Sequence, residues 1–327
     1  MANDTASTGA RPPTSRPTVA ALGEKDLPEA ARIIRVAFGT FLGVPDLDTF
    51  WTDRDYAFGR QRAPHVAAFG ATLDRKLVGS NFATQWGSVG FFGPLTVRPD
   101  LQEQGIARAL LARTMEQFDA WGTRQVGLFT FAQSPKHIAL YQKHGFYARF
   151  LTALMAAPAR RARTQNGWSH LSALTKPQQE EALRSCRDVA ESIYPGLDLT
   201  DEIRTTQAQG LGDTVLVEGV GGLAAFAVCH YGPKSEAGAD MCLIKFGAVR
   251  DGPSAGRDFL RLIKACENLA ADVGMPNVLA GANMARHEAY RLLVDRGYRT
   301  AIQGVAMHKG NDPGYCRPGA YVIDDWR

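Results

Sequence analysis

Cysteine is scarce in this sequence and is not arranged for a disulfide framework or a zinc site. Five cysteines occur among 327 residues, which is an odd number, and no Cys-x-x-Cys pair is present. The seven histidines show no metal-ligand spacing with carboxylates or cysteines either. Zinc needs three or four converging ligands, so these spacings predict neither a disulfide scaffold nor a metal site. We therefore expect the protein to work in a reducing cytoplasm.

Long apolar runs and a dominant charge are also missing. No stretch approaches the roughly 18 consecutive apolar residues that a membrane-spanning helix requires. Residues 1–17 lack the apolar segment of a secretory signal, and their Ser, Thr, Pro and Ala content predicts a disordered tail. The 37 basic and 33 acidic residues leave a net charge of +4 and are spread along the chain. This balance predicts neither a nucleic-acid partner nor a membrane partner.

An internal repeat is the main feature of what the sequence does contain. A shift of 152 residues superimposes landmarks of the two halves without a gap, and the pairs are Val97 and Val249, Gly122 and Gly274, Val126 and Val278, Leu140 and Leu292, Gly145 and Gly297, and Phe146 and Tyr298. A period of this length indicates domain duplication, because solenoid repeats are about 20–50 residues long. We predict an N-terminal domain over 18–156, a polar linker over 157–167 and a C-terminal domain over 168–327.

The pattern within the first copy mixes strands and helices. The expected elements are a hairpin of His65–Leu73 and Leu77–Trp86, a buried strand over Ser88–Val97, a helix over Gly105–Trp121, a strand over Gln125–Thr130 and a short helix over His137–His144. Similar elements recur after the linker. The sequence therefore predicts an α+β (mixed α/β) protein.

The segment from Val97 to Leu111 carries most of the chemical information. A buried strand ends, a polar loop turns, and an amphipathic helix starts at Gly105. Unpaired N–H groups at such a helix start favour a phosphate, and a glycine lets a ligand approach the backbone closely. The alternative interpretation is an ordinary connection between a strand and a helix.

Two motifs in this copy resemble those of one enzyme family. Gln102-x-x-Gly105-x-Ala107 is similar to the pyrophosphate loop of the GCN5-related N-acetyltransferases (GNAT), which reads Gln/Arg-x-x-Gly-x-Gly/Ala. The segment from Ser134 to Phe146 resembles the second family motif, A-x-x-[LF]-Y-x-x-x-G-F. The resemblance covers 18–156 and implies two tandem acetyltransferase-like domains, each with a mostly antiparallel mixed sheet flanked by helices.

The resemblance also implies an acetyl-CoA site between the strand ending at Val97 and the strand at Gln125–Thr130. The implied cofactor-binding residues are Leu95 and Val97, which would pair with the pantetheine arm, and Gln102, Glu103, Gln104, Gly105, Ile106, Ala107 and Arg108, which would hold the pyrophosphate. Tyr141 matches the residue that protonates the departing thiolate in many relatives, a task that suits a neutral phenol. The other interpretation is that Tyr141 only packs against the cofactor.

The general base is missing from its usual place. Relatives often use a Glu on the strand equivalent to Ser88–Val97, and this strand contains no acid. The open candidates are water, a backbone carbonyl, a residue of the other domain, an amine of low pKa, or the carboxylates of Asp324, Asp325 and the C-terminus. The alternative for Asp324 and Asp325 is a solvated acidic pair.

The second copy departs from the family pattern. Gln102, Gly105, Ala107 and Tyr141 correspond to Ser254, Arg257, Phe259 and Leu293, so we expect no acetyl-CoA site there. We expect this copy to shape the acceptor pocket, together with Trp86, Phe91 and Phe92. Lys245, for which Glu236 is a candidate partner, and Arg286 predict internal salt bridges.

The resemblance implies an acetyl-CoA-dependent N-acetyltransferase that acts on an amine of a small molecule or peptide by direct attack in a ternary complex. One alternative is a non-catalytic sensor or interaction module that binds coenzyme A. Another is an acyltransferase that uses a different acyl-CoA. No metal is implied, and a homo-oligomer is left open.

Overall fold

The computed structural model describes residues 16–161, 167–324 and 326. Most of the predicted tail over 1–17, the middle of the predicted linker over 157–167, and two of the candidate bases, Asp325 and the C-terminal carboxylate of Arg327, lie outside the described residues. Among these residues no helix is both long enough and apolar enough to cross a bilayer.

The described residues form fourteen strands and eight α-helices. The strands are β1 Thr18–Ala21, β2 Val66–Leu73, β3 Lys76–Trp86, β4 Val89–Phe92, β5 Thr96–Val97, β6 Gln125–Phe131, β7 Phe146–Pro158, β8 Trp168–His170, β9 Gly212–Gly219, β10 Gly222–Gly232, β11 Gly238–Val249, β12 Asn277–Asn283, β13 Arg299–Lys309 and β14 Val322–Asp324. The helices are α1 Leu27–Leu42, α2 Phe58–Gln61, α3 Ile106–Trp121, α4 Pro135–Gln142, α5 Lys176–Ile193, α6 Thr200–Ala208, α7 Ala255–Asp272 and α8 His287–Asp295. The predicted α+β class is confirmed.

Local signals of the first half produce the expected elements, with one exception. The hairpin of β2 and β3 is antiparallel, and α3 ends at Gly122 in a left-handed conformation (φ 65°) that glycine adopts readily. The predicted single strand over Ser88–Val97 is wrong, because it is divided into β4 and β5 around Gly93 and Pro94. A proline has no N–H to donate to a ladder, so the strand cannot continue its pairing through this point.

The duplication is confirmed at the level of strand pairing. In the first half β4 and β6 are parallel, with Val89 opposite Gln125. In the second half β11 and β12 are parallel, with Met241 opposite Asn277, so both partners differ by 152 from their counterparts.

The two halves exchange their last long strands. The described strands form one continuous sheet in the order β1-β2-β3-β4-β6-β13-β7-β12-β11-β10-β9-β8, with β5 paired to β3 and β14 paired to β11. β13 of the second half therefore lies against β6 of the first, and β7 of the first half lies against β12 of the second. β7 continues to Pro158, two residues into the predicted linker. The halves of the chain are consequently not separate sheets.

A hydrophobic core joins the two halves of the chain next to β4. Trp86 and Phe91 of the first half share one buried cluster with residues of α5 and with Phe246 and Trp326. A second cluster packs α3 and Tyr141 against the other face of the first half. One face of the sheet at β4 therefore packs against residues of both halves, and the other face packs against α3 and Tyr141.

Candidate active site

A gap opens in the sheet where β4 ends. The parallel pairing of β4 with β6 stops at Phe91 opposite Gly127. β6 continues to Phe131, whereas β5 pairs with β3. Because β5 has only β3 as a partner among the described strands, one of its edges is left for an extended ligand. Leu95 and Val97 are half-buried at this edge.

The loop before α3 presents unsatisfied backbone donors at this gap. None of the N–H groups of residues 102–108 donates a hydrogen bond to a described residue. Glu103 (φ 67°) and Gly105 (φ 80°) have left-handed backbones, a conformation that helps to form anion-binding concavities. A Cβ atom at Gly105 would meet no atom within 4 Å, so this side of the loop is open. The loop therefore has the donors and the space that a phosphate group needs.

The side chains of the loop anchor it on one side and offer charge on the other. Ile106 is buried in the core, while Gln104 and Ala107 are half-buried. Gln102, Glu103, Gly105 and Arg108 are exposed. All the predicted loop residues thus lie together at the start of α3.

Lys136 also reaches this loop, and sequence reasoning gave it no role. Its Nζ lies 3.0 Å from a carboxylate oxygen of Glu103 and donates to Oε1 of Gln102 at 3.1 Å. Lys136 lies in the first turn of α4, within the segment that contains Tyr141, but a surface lysine carries no signal of its own. Together with Arg108 it places positive charge beside the open N–H groups.

Tyr141 lies on the same face of the sheet as the loop. It is buried, and its ring contacts that of Phe92 edge-on, with the centroids 5.8 Å apart. Burial raises the pKa of the Tyr141 phenol well above its usual range. The phenol is therefore neutral and carries its proton throughout the physiological pH range.

The opposite face of β4 meets a buried charge cluster from both halves. Phe91 points to this face, where its ring packs 4.5 Å from that of Trp86 and 5.9 Å from Nζ of Lys245. Phe92 points to the face of Tyr141, so the prediction that Phe91 and Phe92 line one pocket is wrong for Phe92. Adjacent residues of a strand point to opposite faces.

Glu236 is the centre of this cluster. Nε of Arg60 lies 2.7 Å from Oε1 of Glu236, and Nζ of Lys245 lies 2.6 Å from Oε2. Burial acts to raise the pKa of the Glu236 carboxyl, but the charges of Arg60 and Lys245 lower it well below its usual range. Arg60 also donates to the backbone carbonyl of Gly93, where β4 is interrupted. The predicted salt bridge between Lys245 and Glu236 is confirmed.

His65, Glu202 and His230 form a second buried group. This group and the cluster around Glu236 line one cleft between the two halves of the chain. Nε2 of His65 is 3.0 Å from Oε2 of Glu202, which also accepts from Nε1 of Trp86 at 3.0 Å. His230 contacts Thr206 through Nε2 at 3.1 Å and lies 3.7 Å from Oε1 of Glu202. Sequence reasoning found no metal-ligand spacing for these histidines and gave them no catalytic role. No local signal could have joined His65 to Glu202, because 137 residues separate them.

The corresponding gap of the second half is filled by the chain itself. β14 pairs with β11 at Phe246 opposite Asp324, in the region where β11 has left β12. α7 begins at Ala255, three residues before the position equivalent to Ile106. The connection that precedes α7 is therefore shorter than the loop that precedes α3.

Asp324 holds this plugging strand in place. Its Oδ1 lies 2.6 Å from Nη2 of Arg286, and its Oδ2 accepts from the Tyr315 hydroxyl. Asp324 is 4% exposed and Arg286 is fully buried. The predicted internal salt bridge of Arg286 is confirmed, whereas the expectation of a solvated Asp324 is wrong. A carboxylate committed to a buried arginine is not placed to serve as the base.

Comparisons with known proteins agree with this geometry. Residues 31–146 match the family model described as the acetyltransferase (GNAT) family. No curated protein matches the sequence.

Solved structures match nearly the whole chain. A proposed acetyltransferase from Pyrococcus horikoshii is 12% identical, with a TM-score of 0.66 over 98% of this chain and 99% of that one. A GCN5-related N-acetyltransferase from Sphaerobacter thermophilus is 16% identical, with a TM-score of 0.59 over 92% and 98%. A tandem GNAT protein of the clavulanic acid biosynthesis pathway is 14% identical, with a TM-score of 0.54 over 90% and 98%. At these identities the likeness concerns the fold. Residues 31–146 therefore match the GNAT family of acetyltransferases, and the whole chain has a fold similar to solved structures that include a tandem GNAT protein.

Proposed function

We propose that this chain is an acetyl-CoA-dependent N-acetyltransferase that transfers the acetyl group to an amine of a small molecule or peptide. The observation that carries the proposal is the row of unsatisfied N–H groups over residues 102–108, beside the gap between β4 and β6. The family of residues 31–146 uses acetyl-CoA, and the open loop fits its pyrophosphate.

Each part of the donor site has a distinct task in this proposal. The N–H groups of the loop hold the pyrophosphate, while Arg108 and Lys136 add positive charge. The free edge near Leu95 and Val97 binds the pantetheine arm as an added strand would bind. Glu103 releases Lys136 when a more highly charged anion arrives.

Tyr141 acts as the general acid of the reaction. The amine nitrogen attacks the thioester carbonyl, so a C–N bond forms and the C–S bond breaks. The departing sulfur takes a proton from the Tyr141 hydroxyl. The phenol is neutral at physiological pH, so it carries the proton that the departing thiolate needs.

Two variants of Gly105 test the donor site by calorimetric titration with acetyl-CoA and with free CoA. Gly105→Asp and Gly105→Asn have side chains of the same size, and both residue types tolerate the left-handed backbone. We expect one site per wild-type chain and an affinity at least about tenfold weaker for the Asp variant than for the Asn variant, because only Asp adds a negative charge. Equal affinities of both variants and the wild type would exclude the loop as the phosphate site.

An amine panel tests the activity itself. Wild-type protein is incubated with acetyl-CoA and primary amines, and release of free thiol is followed together with the mass of the acetylated product. Binding of acetyl-CoA without acetylation of any amine would contradict the proposed transfer.

A further inference from the structure

The cleft between the two halves contains a histidine that is arranged as a base. Resting on the proposed function, we infer that this cleft binds the acceptor amine and that Nδ1 of His65 accepts its proton. Glu202, which comes from the second half of the chain, is the positioning residue. This site would supply the base that the strand preceding the cofactor loop lacks.

The hydrogen bonds of His65 determine which nitrogen is available. Glu202 is an acceptor, so Nε2 of His65 carries the hydrogen of the 3.0 Å contact. Nδ1 then has a free lone pair, and it is buried without a hydrogen-bond partner among the described residues. The His65 side chain is 4% exposed, so its orientation is fixed by packing and by Glu202.

Glu202 is ionised in this environment. Burial acts to raise the pKa of its carboxyl, but the hydrogen bond from His65 and the charge of Lys245 lower it to about 2. An ionised carboxylate on Nε2 stabilises the imidazolium that forms when Nδ1 takes a proton. Trp86 donates to the same oxygen and holds it in place.

Arg60 connects the wall of the cleft to the interruption of β4. His65, Arg60 and Thr84 line the same cleft, and Arg60 donates to the carbonyl of Gly93 at the interruption. Tyr141 lies on the other face of the sheet, behind Phe92. A base on one face and an acid on the other suit direct attack through the gap, because the amine enters from one side and the thiol leaves on the other.

The dimensions of the cleft select the acceptor. The enclosed part of the cleft has room for only one or two water molecules. The end of an unbranched primary amine fits this space, whereas an aromatic or cyclic amine does not.

The charge of the cleft is balanced. The lining charges are Asp55, Arg60, Glu202, Lys234, Glu236 and Lys245, three of each sign, and His230 is the remaining titratable group that faces His65. Burial lowers the pKa of His230, so it adds no positive charge at neutral pH. The site therefore does not favour the ammonium form strongly enough to oppose its deprotonation.

The proton balance of the step is complete. As the amine nitrogen bonds to the carbonyl carbon, its proton moves to Nδ1 of His65 and the C–S bond breaks. The thiolate takes the Tyr141 proton. The products are the N-acetylated amine and the free thiol, and water then returns the proton from His65 to the Tyr141 phenolate.

The test compares His65→Gln and Glu202→Gln with a control, His287→Gln. His287 is exposed and does not line the cleft. Gln at position 65 can still donate to Glu202 but has no nitrogen that accepts a proton. The kcat and KM for 1,5-diaminopentane are measured between pH 5.5 and 9, and acetyl-CoA binding by calorimetry shows that each variant is folded.

The expected result has three parts. His65→Gln lowers kcat/KM by about 100-fold or more through kcat, with unchanged KM and unchanged acetyl-CoA affinity. Glu202→Gln lowers kcat by a smaller factor with unchanged KM, because the imidazolium loses its counter-charge while His65 can still accept the proton. The wild type prefers 1,5-diaminopentane to aniline and piperidine, and His287→Gln behaves as the wild type.

Three outcomes overturn the inference. If His65→Gln retains the wild-type kcat, the base is elsewhere although the proposed function stands. If aniline and piperidine react as well as the linear amine, the assignment of the cleft as the acceptor site is wrong. If the wild type binds acetyl-CoA and acetylates no amine, the proposed function fails and this inference fails with it.

Discussion

The ion pair of Arg286 and Asp324 offers a sharp test of how the plugging strand is held. Arg286 is fully buried, and its Nε and Nη1 have no hydrogen-bond partner among the described residues. The remaining nitrogen of Arg286, Nη2, lies 2.6 Å from Oδ1 of Asp324. Asp324→Asn preserves the shape of the side chain but leaves a buried guanidinium without its counter-charge.

Breaking a buried pair in this way costs about 3–5 kcal/mol. Unfolding entropy is about 2.1 cal/mol/K per residue, so a chain of 327 residues loses roughly 4–7 °C in Tm. Differential scanning calorimetry and urea unfolding of both proteins measure the change.

A double variant separates charge from packing. Arg286→Met with Asp324→Leu removes both charges and keeps apolar volume, so we expect it to recover most of the lost stability. If the free energy of unfolding of Asp324→Asn lies within about 1 kcal/mol of the wild-type value, the buried guanidinium does not depend on this carboxylate and the reasoning is refuted.

Two further perturbations address other groups. Tyr141→Phe should lower kcat by about 100-fold with little change in acetyl-CoA affinity, as measured by steady-state kinetics and calorimetry; an unchanged kcat across pH would remove Tyr141 as the acid. The folded-state pKa of Glu202 is about 2 against an ordinary value of 4.5, so its contribution to stability is present above pH 4.5 and is lost as the pH falls towards 2. The loss amounts to about 3 kcal/mol, and Glu202→Gln should flatten this part of the curve of unfolding free energy against pH. If the unfolding free energy of the wild type and of Glu202→Gln falls with the same slope between pH 4.5 and 2, the lowered pKa of Glu202 is contradicted.

The features that the sequence predicts correctly depend on local signals. The hairpin of β2 and β3 follows from alternating apolar and polar residues on both sides of a turn. The end of α3 follows from Gly122. The repeat follows from residues spaced 152 apart, and its register survives in the pairing of β11 with β12. The open loop before α3 follows from a motif that is contiguous in the chain.

The features that the sequence does not predict depend on distant partners. β7 and β13 are equivalent strands of the two repeats, so no local pattern shows that each pairs with the other half. The dyad of His65 and Glu202 joins segments 137 residues apart. Asp324 resembles a surface residue in the sequence, and only its position beside Arg286 makes it part of the core.

The exchange of strands has a consequence for how the protein is made. β6 ends at Phe131, but its partner β13 is complete only at Lys309. At a synthesis rate of about 5–20 residues per second, β6 waits roughly 10–40 s on the ribosome for its partner strand. During that time the growing chain carries an unpaired sheet edge, which is a surface on which aggregation starts. The second repeat therefore cannot be discarded, because without it the first repeat would be released from the ribosome with β6 lacking the strand that it pairs with.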